Sequence, residues 1–221
     1  MPLLCRVVNL GLQDYWEVYQ YQKELVQAKA SNKQGHDTLV LVEHPPVFTL
    51  GKTGSMENLY LSPEQLVEKG IAVYEIDRGG DITYHGPGQL VACPIIRLEH
   101  HGKDLRKLIW RYEEVIIRTL NDFGIVGSRI VEYPGVWVGE EKIASVGIGV
   151  HKWIAYHGFA LNVNPNLNHY KLITPCGIHD KSITSLELLL GHTVELEDVT
   201  GPLVRHFGEV FSVYMEMRFT S

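Results

Sequence analysis

At 221 residues, 45% hydrophobic and 21% charged, the chain has the make-up of one large soluble globular domain with a substantial core. Its formal charge of −6, with no strongly basic segment to override it, argues against nonspecific nucleic-acid binding. No apolar run nears the roughly 20 residues of a membrane helix. The start, Met1-Pro2-Leu3-Leu4-Cys5-Arg6, has the layout of neither a secretory signal nor a transit peptide, and three cysteines without a CxxC suit free thiols in a reducing compartment.

Leu4 to Leu10 reads as a first strand. Asp14-Tyr15-Trp16-Glu17 fits a capping box, and Tyr15, Val18, Tyr19, Leu25 and Val26 follow at helical spacing, which predicts a helix to about Ala30 with this stripe in the core. Thr38 to Glu43 and Val47 to Leu50 are short apolar strands separated by His44-Pro45-Pro46. Gly51-Lys52-Thr53 invites a phosphate-loop reading, but Pro46 stands where that motif needs its first glycine and strand formers fill the cradle, so the reading is rejected and Lys52 is taken as a solvated turn lysine. Ser62-Pro63-Glu64-Gln65 opens a helix that Gly70 ends, and Ile71 to Ile76 returns as a strand.

Gln89 to Ile96 is a buried strand, with Cys93 read as a small core residue. Asp104 caps the longest helix, whose apolar face is Leu105, Leu108, Ile109, Tyr112, Val115, Ile116, Leu120 and Phe123. Its other face carries Lys103, Arg106, Lys107 and Arg111, either a solvated stripe or a dock for an acidic partner. Val136-Trp137-Val138 and Lys142 to Val150 form a hairpin across Gly139-Glu140-Glu141. A further strand pairing runs through Trp153 to Val163 until Asn164-Pro165-Asn166 breaks it. Ser185 caps a small helix, and Leu203, Phe207, Val210, Phe211 and Tyr214 pattern a C-terminal helix after Pro202. The whole is read as a single α/β (α+β) domain, 1–221, built on a mixed sheet flanked by helices.

Two places carry chemistry. In Arg78-Gly79-Gly80-Asp81-Ile82-Thr83-Tyr84-His85-Gly86-Pro87-Gly88-Gln89 the dense glycines let a ligand approach main-chain N–H groups, so the stretch is read as a substrate-cradling loop. The structural alternative is a tight turn with an Arg78–Asp81 ion pair. Cys176, between Pro175 and Gly177, suits an exposed nucleophile once a nearby cation lowers its pKa. Lys142, opening the apolar run Ile143-Ala144-Ser145-Val146-Gly147, is the candidate cation, although it also reads as an ordinary hairpin lysine and Cys176 as a buried thiol. Cys176-Gly177-Ile178-His179 is the only close Cys/His pair, and no metal is expected from it.

Together with Pro45-Pro46-Val47-Phe48-Thr49-Leu50-Gly51, Gly135-Val136-Trp137-Val138, Lys142-Ile143-Ala144, His157-Gly158-Phe159-Ala160-Leu161-Asn162 and Pro175-Cys176-Gly177-Ile178, the glycine-rich stretch resembles the lipoyl(octanoyl) transferase family in order over nearly the whole chain. The resemblance implies the fold of the biotin and lipoate protein ligase catalytic domain. It also implies transfer of octanoate from octanoyl-acyl carrier protein to a lysine on the lipoyl domains of 2-oxoacid dehydrogenase E2 subunits and of the glycine cleavage H protein. Cys176 would carry the acyl-thioester and Lys142 would be its acid/base partner. Arg78, Gly79, Gly80, Asp81, Ile82, Thr83, Tyr84 and His85, with Ser145, Val146 and Gly147 and with Gly158, Phe159 and Ala160, would line the acyl site.

No cofactor, metal, nucleic acid or membrane partner is implied. A monomer is expected, in the cytoplasm or, had a leader been removed, in a mitochondrial or plastid matrix. The basic helix stripe becomes a candidate dock for the acidic carrier. Three other readings stand beside this one: an ATP-dependent lipoate or biotin ligase on the same fold, a papain-like hydrolase, disfavoured because Cys176 lacks that family's flanking sequence, and a non-catalytic acyl-carrier binding module.

Overall fold

The structure, a computed structural model, describes residues 3–32, 35–174 and 181–218. Cys176, with its Pro175-Cys176-Gly177-Ile178 motif and the Cys176/His179 pair, lies outside them. In chain order the elements are β1 (Leu3–Leu12), α1 (Tyr15–Ser31), β2 (Asp37–Glu43), β3 (Val47–Leu50), α2 (Pro63–Lys69), β4 (Ala72–Glu75), β5 (Ile82–His85) and β6 (Gln89–Arg97). Then follow α3 (Leu105–Asp122), β7 (Ser128–Ile130), β8 (Tyr133–Val138), β9 (Glu141–His151), β10 (Ile154–Asn162), β11 (Ser182–Ile183), α4 (Leu186–Leu190), α5 (Leu196–Phe211) and β12 (Val213–Arg218).

The large mixed sheet runs β12-β1-β2-β6-β10-β9-β8-β7, with β11 also on β9, and a small sheet runs β4-β3-β5. Strand β6 is buried along its whole length, as its unbroken apolar run requires of a strand covered on both faces. Alternation sends Leu90, Ala92 and Ile96 to the face under α3 and α5, where Tyr112, Phe207 and Phe211 fill the main core. Val91 and Cys93 go to the opposite face, with Val40, Val42 and Ala160 against Val18 of α1. The small sheet stands over that second face. Its outer side packs Phe48, Ile82 and Tyr84 against Leu66, and its inner side joins α1 through Val47 and Ile76. No helix among the described residues is long and apolar enough to cross a membrane.

Caps fall where the sequence sets them. Asp14 accepts from the backbone N–H groups of Trp16 and Glu17, Asp104 from those of Arg106 and Lys107, and Ser185 from that of Leu188. The reciprocal capping box closes at Ser62 and Gln65; at Asp14 only the aspartate arm is among the described hydrogen bonds.

Three readings change. Ile82 to His85, expected in a loop, is strand β5, paired antiparallel with β3. The C-terminal helix begins at Leu196, before Pro202, which sits inside it, because acidic Glu197 and Asp198 favour an N-terminus there. Tyr214 leaves that helix for β12: Ser212 closes the helix in the left-handed conformation, and Val213 to Arg218 then pairs parallel with β1. Its alternation of buried Val213, exposed Tyr214 and half-buried Met215 is the signal that the helical reading overrode.

Under the α5 side of the sheet lies a closed ionic cluster. Asp37, 3% exposed, meets Lys29 at 2.8 Å and His101 at 2.8 Å, while Lys29 also donates to the carbonyls of Gly35 and His36. Burial alone would raise the Asp37 carboxyl, but hydrogen bonds from His101 and Lys29 outweigh it and hold the group below its ordinary value. Asp37→Asn leaves Lys29 buried without its counter-charge and is expected to cost about 3–5 kcal/mol at pH 7, read from denaturant unfolding. Because the folded value is the lower one, the contribution is present above the unfolded carboxylate value of about 3.9 and lost as pH falls through the folded one. The gap between wild type and variant should therefore close in acid; a gap under about 1 kcal/mol at pH 7 would place the cluster among ordinary surface pairs.

Candidate active site

A cleft enclosing about 620 Å³ of space, its solvent-open mouth included, lies between the α1-covered face of the large sheet and the inner edge of the small one. Its floor is β9, β10 and β6. Its roof is the segment that links β4 to β5, together with Thr83 and His85 of β5 and Tyr15 and Gln22 of α1.

The roof is pinned by backbone bonds that glycine permits. Gly79 donates to the Ile148 carbonyl at 2.8 Å, and a Cβ on Gly147 would press on Arg78 Cδ at 3.1 Å. Gly51 is equally constrained, since a Cβ there would fall 2.2 Å from the Gly80 carbonyl oxygen. The Gly51-Lys52-Thr53 turn thus exists to clasp residues 78–81, through Gly51 N to Asp81 O, Lys52 N to Arg78 O and Thr53 N to Gly80 O, and Lys52 is exposed. Arg78 donates to the carbonyl and hydroxyl oxygens of Thr49 at 2.6 and 2.9 Å, so much of its guanidinium holds the roof together.

Twelve of the residues expected at the site line this cleft: Arg78, Gly79, Gly80, Thr83, His85, Lys142, Ser145, Val146, Gly147, Gly158, Phe159 and Ala160. Asp81, Ile82 and Tyr84 do not. For Ile82 and Tyr84 the correction follows from β5 being a strand, whose successive side chains alternate. Thr83 and His85 face the cleft, whereas Ile82 and Tyr84 enter the core under α2, and Tyr84 bonds His169 at 2.7 Å. The Asp81 carboxylate accepts from Ser55 N, Ile82 N and Asn58 Nδ2, bracing the turn in place of an ion pair with Arg78.

Lys142 is 5% exposed, near the start of β9, and its ammonium lies 5.4 Å from the Trp137 ring centroid. Gly135 makes the room for it. A Cβ there would sit 2.7 Å from Lys142 Cε and 2.4 Å from the Ala144 carbonyl oxygen, and Gly135 holds φ +132, which side chains resist. Between β8 and β9 the register slips, Val136 opposing Ala144 while Trp137 opposes Lys142. The extra residue, Ile143, resets the alternation, so Lys142 and Ser145, three positions apart, reach one cleft. Glu113 secures Gly135 through its N–H at 3.0 Å; burial raises that carboxyl, with Gly135, Arg129 and Lys142 pulling against it.

Six lining residues were not anticipated: Tyr15, Gln22, His44, Val91, Cys93 and His157. Tyr15, Val91 and Cys93 read as core in the sequence, and they are core residues whose surface the cleft also reaches. His44 donates Nδ1–H to the Gln13 carbonyl, and His85 donates to Gln89 Oε1, whose amide is itself committed to Asn162, Tyr170 and the Tyr84 carbonyl. Burial pushes these imidazoles down to about 4 and about 3, so both are neutral near pH 7. Tyr15 stacks on His85 at 5.6 Å.

His157 sits at φ +57 before Gly158, at a lapse in the β6–β10 pairing opposite Pro94, which has no N–H to give. Its Nε2 lies 3.0 Å from Asp77, which Tyr19, Lys23 and Tyr156 also engage. Burial alone would raise Asp77, yet these bonds hold it well below the carboxylate range, while burial lowers His157. The sequence signal was the pair Asp77-Arg78 entering the roof and His157 preceding an obligatory glycine.

The basic stripe lies elsewhere. Helix α3 packs on the sheet face opposite the cleft; Lys103 pairs with Glu99 at 3.0 Å, and Arg111 donates to the His101 carbonyl beside Phe211.

Residues 14–208 match the model of the lipoyl protein ligase A/B catalytic domain. An octanoyltransferase of Caldicellulosiruptor saccharolyticus is 47% identical over 217 residues, covering 97% of this chain and 91% of that protein. One from Alkaliphilus metalliredigens is 43% identical, covering 93% and 94%. Among solved structures, a chain of the bipartite lipoate protein ligase and E2 lipoyl domain system of Thermoplasma acidophilum superposes with TM-score 0.71 at 16% identity, covering 100% of this chain and 88% of that one. Biotin protein ligase from Aquifex aeolicus superposes with TM-score 0.53 at 14% identity, covering 94% and 69%. These two share the fold. The chain belongs to the octanoyltransferase family of acyltransferases and is built on the lipoyl protein ligase A/B catalytic domain.

Proposed function

We propose that the chain, as one catalytic unit over 1–221, moves an octanoyl group from octanoyl-acyl carrier protein to a lysine of a lipoyl domain by way of a thioester on Cys176. The acceptors would be the lipoyl domains of 2-oxoacid dehydrogenase E2 subunits and the glycine cleavage H protein, and the setting the cytoplasm. The observation that carries the reading is Lys142: a lysine almost closed to solvent, given its place by Gly135 and a strand bulge, at the side of a largely apolar cleft.

The described chain supports a meeting of Lys142 with the segment that holds Cys176. It leaves at Thr174, whose N–H bonds the Asn58 carbonyl, and resumes so that Ile183 registers against Lys142 through β11. In the first half-reaction the Cys176 thiolate attacks the carrier thioester, the carrier sulfur departs, and Lys142 gives it a proton. In the second, the acceptor amine attacks the new thioester, Lys142 takes the amine's proton, and the Cys176 thiolate leaves. Thioester exchange is close to even in free energy and amide formation runs downhill, so neither half needs ATP, in keeping with a Gly51-Lys52-Thr53 turn occupied with the roof.

The alternative is an ATP-dependent ligase, which the shared fold keeps open. Incubation with octanoyl-acyl carrier protein, without ATP, is expected to add the mass of one octanoyl group to the peptide containing Cys176. Cys176→Ser should abolish that adduct and lower transfer by about 10³-fold or more. Transfer that requires ATP and survives Cys176→Ser would establish the ligase. Gly135→Ala should lower kcat by about a hundredfold by displacing the Lys142 amine, with folding checked by thermal denaturation; a folded variant with unchanged kcat would separate Gly135 from the chemistry.

A further inference from the structure

The floor of the cleft is two rows of side chains that cross the strands. Ser145 of β9 opposes Ala160 of β10, which opposes Val91 of β6. In the next row Gly147 opposes Gly158, which lies level with Cys93. In the first row the small Ser145 and Ala160 leave a trough and bulk returns at Val91 of β6; in the second, Arg78 Cδ comes within 3.1 Å of where a Gly147 Cβ would stand, and Cys93 lines the far end. Exposure falls along the same direction: Ser145 and Gly147 are half-buried, while Gly158, Ala160, Val91 and Cys93 are buried. Beyond β6 the trough is shut, because Val40 and Val42 of β2, 0% and 2% exposed, pack under Val18 and Leu25 of α1. The more exposed end is at Ser145 and Gly147 of β9; the Lys142 ammonium lies beside it, over Gly135, and Gly135 opposes Ser145 in the first row.

Length closes the argument. From β8, where the ammonium sits, to β6 is three strand spacings, about 14 Å. An acyl carbonyl at hydrogen-bond distance takes up about 3 Å of that. An extended eight-carbon chain, advancing about 1.2 Å per bond as extended backbone does, adds about 8–9 Å. Its methyl end then meets the side chains of β6.

We propose that Val91 and Cys93 form the end wall of the acyl groove and set the longest chain the enzyme accepts. The proposal rests on the transfer reading above. A larger side chain at the wall shortens the groove, and a smaller one lengthens it, each methylene gained or lost changing discrimination by about fourfold.

The test is the profile of kcat/KM for carrier thioesters from butanoyl to dodecanoyl. Cys93→Leu is expected to raise the hexanoyl-to-octanoyl ratio by about tenfold or more. Val91→Ala and Cys93→Ala are expected to raise the decanoyl-to-octanoyl ratio by about fourfold or more each. Should Cys93→Leu not fold, the two alanine variants decide alone. Folded variants that keep the wild-type profile, or that lose every chain length by one factor, overturn the end wall while leaving transfer intact. Wild-type protein that transfers no acyl chain of any length brings down the transfer reading, and the end wall with it.

Discussion

A lysine can be shut between strands only where something else gives up its volume. Here Gly135 does so, with backbone and side chain both counting against any Cβ: the Ala144 carbonyl oxygen would be 2.4 Å away and Lys142 Cε 2.7 Å. The bulge at Ile143 then turns Lys142 onto the cleft side of β9, and Glu113 ties down the glycine's N–H from α3. The same trade recurs across the floor and roof. Gly147 yields to Arg78, and Gly158 yields to the Ala92 carbonyl oxygen and Pro94, so the cleft exists because glycines stand at each close approach.

Charge is arranged to match. The rings of Tyr15, His44 and His85 make the inner end aromatic and, with both imidazoles held neutral, uncharged. Anionic Asp77, beside Arg78 in the roof segment, is spent on Tyr19, Lys23, Tyr156 and His157. An apolar groove with an ammonium at one side suits an acyl group whose reacting carbon sits at that side. The fold is shared with lipoate and biotin protein ligases, and under the proposed reaction a thiol brought to the lysine would take the place of an activated carboxylate.

Much of this was legible because local signals and tertiary context agree. The caps at Asp14, Ser62, Asp104 and Ser185, the apolar run of β6 and the Val136–Val150 hairpin each declare themselves in a few residues. Where they conflict, the sequence misleads. Glycines on both sides of Ile82 to His85 suggest a loop, yet pairing to β3 makes it a strand, and strand alternation turns Ile82 and Tyr84 away from the cleft that Thr83 and His85 enter, while Asp81 is held in the turn by its own hydrogen bonds. Tyr214 continued a helical spacing that Ser212 ends. His44 and His157 were invisible as lining residues because only the packing of two sheets on α1 brings them beside the glycine-rich segment. The basic stripe of α3 is as basic as it reads, but which sheet face it covers is a property of topology alone.

The most direct test of the account is the pH profile of Cys176 alkylation, followed by mass spectrometry of its peptide so that buried Cys5 and Cys93 do not contribute. If Lys142 stands beside that thiol, Lys142→Met should move the midpoint of the profile upward by about one pH unit or more, as loss of a neighbouring cation requires. Superimposable profiles for wild type and variant would mean that the amine and the sulfur do not meet, and the relay between them would be wrong.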